Sequence, residues 1–209
     1  MMDFELDARC RLIQVCMEVY ERKMVSSSGG NISIRLDDGF LITPTGYSLG
    51  KLKAEDLVKV GFDGAILSSG KPSKEVNLHM NIYLSRSNIK SVVHVHSPNA
   101  VCLSCMVAKE PFDIPAMTPG YACRVGILPA IPFMVPGSLQ LAEAVRKVLA
   151  KRDSVLLCKH GLVTVGEDIQ TAVNLAEEIE ENAEIFILGG TRVVGMTSEE
   201  QAAVCKRYS

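Results

Sequence analysis

From Asp7 to Val25 apolar residues recur near helical spacing, with Leu12, Ile13, Cys16, Met17, Val19 and Tyr20 opposed by Arg9, Arg11, Glu18 and Arg22. The pattern predicts an amphipathic opening helix, which "SSSGG" then breaks. "NISIRL" and "GFLITP" around "DDG" predict two strands joined by a tight turn, and "EDLVKVGF" predicts another strand. Val76, Leu78, Ile82 and Leu84 among polar neighbours predict a helix from Lys74 to Ser85, opened after Pro72 and Ser73. "SVVHVHS" has the apolar density of a buried strand. Residues 111–137 carry six of the nine prolines, which favours irregular or short-stranded chain over one long helix. "SLQLAEAVRKVLAKR" predicts a helix and "SVLLCKHGLVTVG" is strand-like. Ile169 to Leu188 predicts a long helix with Ala172, Leu175, Ala176, Ile179, Ala183 and Phe186 on one face and a solvated face of glutamates opposite.

Strands and helices are interspersed without the regular alternation of a doubly wound fold, and neither an internal repeat nor a linker divides the chain. The expected architecture is a single α/β domain spanning residues 1–209, a central, mainly antiparallel sheet flanked by helices in layers. Composition agrees: 209 residues, 47% hydrophobic and 22% charged, are enough for one substantial core. A net charge of -2 with scattered Lys and Arg argues against a nucleic-acid partner. The acidic start "MMDFELDARC" lacks the pattern of an export signal, and no apolar run approaches the roughly 18 residues of a membrane span. No membrane partner and a cytoplasmic location are therefore expected. Seven cysteines, an odd number, fit reduced thiols better than a disulfide framework. Cys102 and Cys105 form a C-x-x-C without a second pair, so they are expected as small core residues.

The chemistry begins at His94 and His96. Residues two apart on a strand share a face, which sets their Cβ atoms roughly 6–7 Å apart. Two imidazoles in an apolar strand need polar partners where few exist, and converging on one ion satisfies both. His160 ends another apolar run, "SVLLCKHG", and completes the three-ligand set usual for one catalytic zinc, with manganese, cobalt or iron as other acceptable ions. His79 lies four residues after Glu75, on the same helix face, and is expected as a supporting or structural group. "SSSGGNIS", "TPTG" and "KPSK" match neither nucleotide-loop pattern, but each can turn backbone N–H groups toward a small anion, and together they could cradle one phosphate. Glu75, which follows Lys74, is a candidate proton carrier whose pKa would be set by burial and neighbouring charge.

Jointly, "GGNIS", "TPTG", "KPSKE", "HVH" nineteen residues after Glu75, and "KHG" resemble, in order and spacing, the class II aldolase and adducin head family, over about residues 5–190. The resemblance implies a nine-stranded, mainly antiparallel sheet between helices, assembled as a homotetramer with sites between subunits. It implies zinc ligands at His94, His96 and His160, and an acid/base group at Glu75 that also binds the metal when substrate is absent. It implies a substrate phosphate held by Gly30, Asn31, Thr45, Gly46, Ser73 and Lys74. The implied activity is a carbon-carbon lyase of the fuculose-1-phosphate aldolase type, acting on a phosphorylated keto sugar or sugar acid through a zinc-bound enediolate.

Two features depart from that aldolase. Lys74 stands where it has serine, and its proton-donating tyrosine has no clean match, Tyr121 being merely nearby and Tyr208 lying in the tail. "KPSKE" and "MTPGYACRVG" followed by "IPFMVPG" resemble the branch that decarboxylates 3-oxo-tetronate 4-phosphates to dihydroxyacetone phosphate and carbon dioxide. Both lyase readings stay open on the sequence. A ribulose-5-phosphate 4-epimerase has aspartate at the position of Glu75, and an adducin-like scaffold lacks the three histidines, so both rank lower.

Overall fold

The computed structural model describes residues 4–110 and 112–208. The opening pattern forms α1 (Phe4–Glu21), which buries Ala8, Leu12, Val15, Cys16 and Val19. Among the described residues seven strands form one sheet: β1 (Asn31–Arg35), β2 (Gly39–Ile42), β3 (Val58–Gly61), β4 (Ser91–Val95), β5 (Ala130–Ile131), β6 (Ser154–Leu157) and β7 (Gly161–Gly166). Their order is β3-β2-β1-β4-β7-β6-β5, and every pairing is antiparallel except β5 with β6. The helices that follow α1 are α2 (Val76–Ser85), α3 (Pro98–Lys109), α4 (Pro119–Arg124), α5 (Leu139–Leu149), α6 (Ile169–Gly189) and α7 (Ser198–Tyr208).

Alternation along the strands divides the core in two. Ile32, Val93, Val95 and Leu162 pack against α1, α3 and α6. Phe40, Ile42, Val92, Val163 and Val165 pack against α2 and α5 on the opposite face. The layered α/β architecture is the one the sequence leads to. The central strand β4 has Val92, Val93 and Val95 at 0% exposure, and each such side chain stabilises by about 1.5–3 kcal/mol. A strand anchored in this way holds its remaining side chains, His94 among them, in a fixed place. No helix among the described residues is long and apolar enough to cross a membrane.

Several expectations are corrected. The sheet has seven strands rather than nine among the described residues, because further pairings stop at the isolated bridges Pro44–Pro72 and Val60–Ile66. Proline donates no backbone hydrogen bond, so the first of these cannot propagate as a ladder. Cys102 and Cys105 are exposed instead of core residues. They sit in α3, whose buried stripe is Ala100, Leu103, Ser104 and Val107, and the helical period turns the two thiols away from it. The glutamate face of α6 is only partly solvated: Glu180 accepts the Asn99 and Ala100 backbone N–H groups at the start of α3, and Glu178 pairs with Arg124. The strand-like "SVLLCKHGLVTVG" is a hairpin, β6 and β7, with Lys159 at φ 58° in its turn.

Candidate metal centre

β4 delivers His94 at its next-to-last position, and His96 follows one residue beyond the strand end. His160 comes from the β6–β7 turn beside them. That turn is pinned from α3, where Ser104 Oγ accepts the Lys159 backbone N–H at 2.9 Å. The ring centroids of His94 lie 4.8 Å from those of both His96 and His160, and His96 and His160 are 5.0 Å apart. One ligand atom from each ring and one carboxylate oxygen of Glu75 all fall within 4.8 Å of one another. The sequence separates these four residues by up to 85 positions, and the sheet brings them together.

His96 is held by the close approach of two glycines. A Cβ on Gly29 would lie 2.8 Å from its Nδ1, and one on Gly161 would lie 2.9 Å from its Cδ2. The glycines of "SSGGN" and "KHG" thus leave room for an imidazole, where any side chain would displace it.

Electrostatics in the centre favour a cation. His94 Nδ1 donates to the Leu162 carbonyl at 2.9 Å, which leaves the lone pair of a neutral ring on Nε2. That atom stands 3.0 Å from Glu75 Oε2 and 3.0 Å from His96 Nε2. A lone pair facing a carboxylate is repulsive unless a proton or a metal ion lies between them. Burial alone pushes the His94 pKa down, but the Glu75 charge, together with the hydrogen bonds to Glu75 and to the Leu162 carbonyl, outweighs it and raises the value above the ordinary one. For Glu75, burial raises the pKa, while the His94 charge and hydrogen bonds from His94 and Asn31 overcome it and hold the carboxyl well below the usual range. Burial, then the charge of His94, lowers His96 to about 3 and His160 to about 4. Both rings are therefore neutral, as metal ligands must be. Glu75 Oε1 and His160 Nδ1 are buried without a hydrogen-bond partner. Orphaned atoms beside a convergent set of three imidazoles and one carboxylate fit a bound divalent ion with an open position.

The loops expected to hold phosphate meet at this centre. Gly30 has φ 76°, and the Asn31 side-chain amide that follows it donates to Glu75 Oε2 at 3.0 Å. The 43–46 and 71–74 loops are laced together by Thr45 N–H to the Lys71 carbonyl and Ser73 N–H to the Thr43 carbonyl, both at 3.1 Å. Ser73 Oγ accepts the Glu75 backbone N–H at 3.2 Å and so fixes the start of α2. Gly46, at φ 82°, and Lys74 are exposed beside them. The amide of Asn31 is thus taken up by the carboxylate, while Thr45, Gly46, Ser73 and Lys74 lie on two joined loops.

Pattern matching agrees with this geometry, since residues 10–187 match the model of the Class II Aldolase and Adducin N-terminal domain. The chain belongs to this family. A 3-oxo-tetronate 4-phosphate decarboxylase from Pectobacterium atrosepticum is 38% identical over 201 residues, covering 95% of this chain and 92% of that protein. An L-fuculose phosphate aldolase from Methanococcus maripaludis is 39% identical over 173 residues, covering 83% of this chain and 92% of its own length. The crystal structure of YgbL from Escherichia coli superposes with a TM-score of 0.90 at 33% identity, covering 97% of this chain and all of that one. The resemblance drawn from the motifs is borne out, and with it a lyase of the class II aldolase family.

Sequence reasoning missed Ser33, Tyr83 and Ser104, which support the site from behind. It left Tyr121 open as a proton donor. Tyr121 lies in the core at 0% exposure, its hydroxyl buried and unpartnered. The Tyr208 side chain lies outside the described residues.

Proposed function

We propose that the protein is a metal-dependent 3-oxo-tetronate 4-phosphate decarboxylase, with His94, His96 and His160 as metal ligands and Glu75 as the proton carrier. Three neutral imidazoles suit zinc, one ion per chain. The bound ion would supply Lewis-acid polarisation of the substrate carbonyl. Gly30, Thr45, Gly46, Ser73 and Lys74 bind the phosphate, with Lys74 adding positive charge, and Asn31 joins them through its backbone while its amide holds Glu75.

One observation favours the decarboxylase among the two lyase readings: the decarboxylase from Pectobacterium atrosepticum aligns over 95% of the chain, against 83% for the aldolase from Methanococcus maripaludis. Loss of carbon dioxide from a 3-oxo acid breaks the carbon-carbon bond and leaves the electron pair on the carbon. A single proton, delivered by Glu75 and regained from water, completes dihydroxyacetone phosphate. Cleavage of an aldol needs a second group as well, to take the proton of the hydroxyl that becomes the aldehyde, and the Tyr121 hydroxyl of this chain is buried in the core.

A cytoplasmic homotetramer with sites between subunits completes the reading. It is supported by exposed apolar side chains at Ile127, Phe133, Val135 and Leu139 around the edge strand β5, and light scattering on the purified protein tests it. The activity is tested by giving the zinc-loaded protein 3-oxo-tetronate 4-phosphate or L-fuculose 1-phosphate and following dihydroxyacetone phosphate with a coupled reductase. The expected result is dihydroxyacetone phosphate and carbon dioxide in equal amounts from the first and no turnover of the second. Cleavage of the fuculose phosphate alone overturns the assignment in favour of an aldolase.

A further inference from the structure

Behind Glu75 runs a closed chain of buried polar groups that the reaction does not touch. Tyr83 OH lies 2.7 Å from Ser33 Oγ, and Ser33 Oγ lies 2.7 Å from His79 Nδ1. His79 Nε2 lies 2.6 Å from Asn31 Oδ1, and Asn31 Nδ2 lies 3.0 Å from Glu75 Oε2. Ser33 and His79 are at 0% exposure, Tyr83 at 1% and Asn31 at 5%.

The direction of every hydrogen in this chain follows from its carboxylate end. An ionised carboxylate only accepts, so Asn31 must turn its NH2 to Glu75 and its oxygen to His79. That oxygen only accepts, so His79 must carry its proton on Nε2. Both ring nitrogens of His79 meet neutral partners at a fully buried position, which disfavours an imidazolium. Burial, then the charge of His94, lowers its pKa to about 3. Its Nδ1 is therefore bare and accepts from Ser33, whose oxygen accepts in turn from Tyr83. All the dipoles point at Glu75.

We propose that His79, locked as the neutral Nε2–H tautomer, is a positioning residue that fixes the Asn31 amide and so holds the Glu75 carboxylate in place through its Oε2. Oε2 is engaged by Asn31 and by His94, whereas Oε1 has no hydrogen-bond partner. The chain does not conduct protons, because the Asn31 amide interrupts it; its work is orientation. Were the His79 proton on Nδ1, its bare Nε2 would face Asn31 Oδ1, the amide would flip, and two oxygens would meet at Glu75.

The catalytic half of this inference rests on the decarboxylase reading, while the tautomer does not, and the experiment separates them. Nitrogen-15 NMR of the histidine rings in metal-free protein should show His79 as the neutral Nε2–H tautomer at neutral pH. An Nδ1–H tautomer or an imidazolium overturns the proposal whatever the enzyme does. In the zinc-loaded protein, His79→Leu should lower kcat by about 10–100-fold at nearly constant KM, the range found when a group behind a ligand or base is lost. His79→Gln, which keeps an N–H donor for Asn31, should recover most of it. Ser33→Ala, a smaller change, should let the NMR signal shift toward the other tautomer and lower kcat in step. Full kcat in His79→Leu, or a loss in KM that His79→Gln fails to restore, overturns the positioning role. A wild-type protein inactive on the oxo acid but showing the Nε2–H tautomer would overturn the decarboxylase reading alone.

Discussion

Lowering the pH from 6 to 5 should destabilise the metal-free protein steeply, and the four histidines set the size of the effect. His79, His96 and His160 have folded-state pKa values of about 3, 3 and 4, against an ordinary value near 6.5. Below pH 6.5 the unfolded chain therefore binds three protons that the folded chain refuses, and stability falls as pH falls. His94 acts in the opposite sense. Its raised pKa gives stability that is complete below the unfolded value and is lost only at higher pH, so it adds no slope in this window. Glu75, held below its ordinary 4.5, gives stability present above that value and lost in more acid solution. Between pH 6 and pH 5 each depressed histidine contributes a loss of about 1.2 kcal/mol, and partial water access at His96 and His160 trims the sum to about 3 kcal/mol. That is a fifth to three fifths of the stability of an ordinary domain, about 5–15 kcal/mol. The chain has only four histidines, so no other imidazole can supply the effect. Urea unfolding of chelator-treated protein at the two pH values measures it, with m unchanged. A loss below about 1 kcal/mol would show that the buried rings accept protons freely, and the packing argument for neutral ligands would fail.

Metal binding at pH 6 should release about one proton, that of His94, because its raised pKa keeps it charged there while the other two ligand rings are already neutral. Calorimetry in two buffers of different ionisation heat reads the count, and release of none contradicts the assignment of the charge to His94. Gly161→Ala would put a Cβ 2.4 Å from the Val95 carbonyl oxygen and 2.9 Å from His96 Cδ2. Since the carbonyl belongs to the paired strand and cannot turn aside, overpacking should cost about 1–3 kcal/mol, lower Tm by about 2–12 °C and weaken zinc binding at least about tenfold. Unchanged Tm and affinity would mean that the glycine is not needed for room. Glu75→Gln should abolish the exchange of dihydroxyacetone phosphate protons in heavy water, followed by NMR, while His94, His96 and His160 still retain zinc; exchange at the wild-type rate would remove Glu75 from the mechanism.

The histidine cluster was legible because its signal is local to each strand. Two histidines two apart in an apolar run have few innocent explanations, and a third at the end of another such run limits them further. Glu75 was legible through its place after a turn-rich loop. The supporting groups were hidden for a physical reason: Ser33, Tyr83 and Ser104 are common residue types, and only the register of β1 against α2, or the packing of α3 on the β6–β7 turn, gives them a role. α3 also escaped notice, since its apolar stripe is interrupted by Ser104, and its N-terminus is capped by Glu180 from a helix about 80 residues away rather than by a local residue.

One regularity does connect the site to the sequence. In "NISIR" the apolar residues Ile32 and Ile34 face α1, so Asn31, Ser33 and Arg35 turn to the opposite face, toward α2. Along α2 the polar groups stand four apart, at Glu75, His79 and Tyr83, on one stripe of the helix. Four helical residues rise about 6.0 Å and two strand residues about 6.6 Å, so the two stripes keep step over two repeats. Asn31 then meets both Glu75 and His79, Ser33 meets both His79 and Tyr83, and the Arg35 guanidinium lies 4.8 Å from the Tyr83 ring centroid. Register across the sheet sets Asn31 opposite His94, which brings the end of this ladder to the histidine cluster. A polar-apolar alternation in a strand with no solvated face is thus itself a signal: its polar members must find partners within the protein, and here the partners are spaced to match.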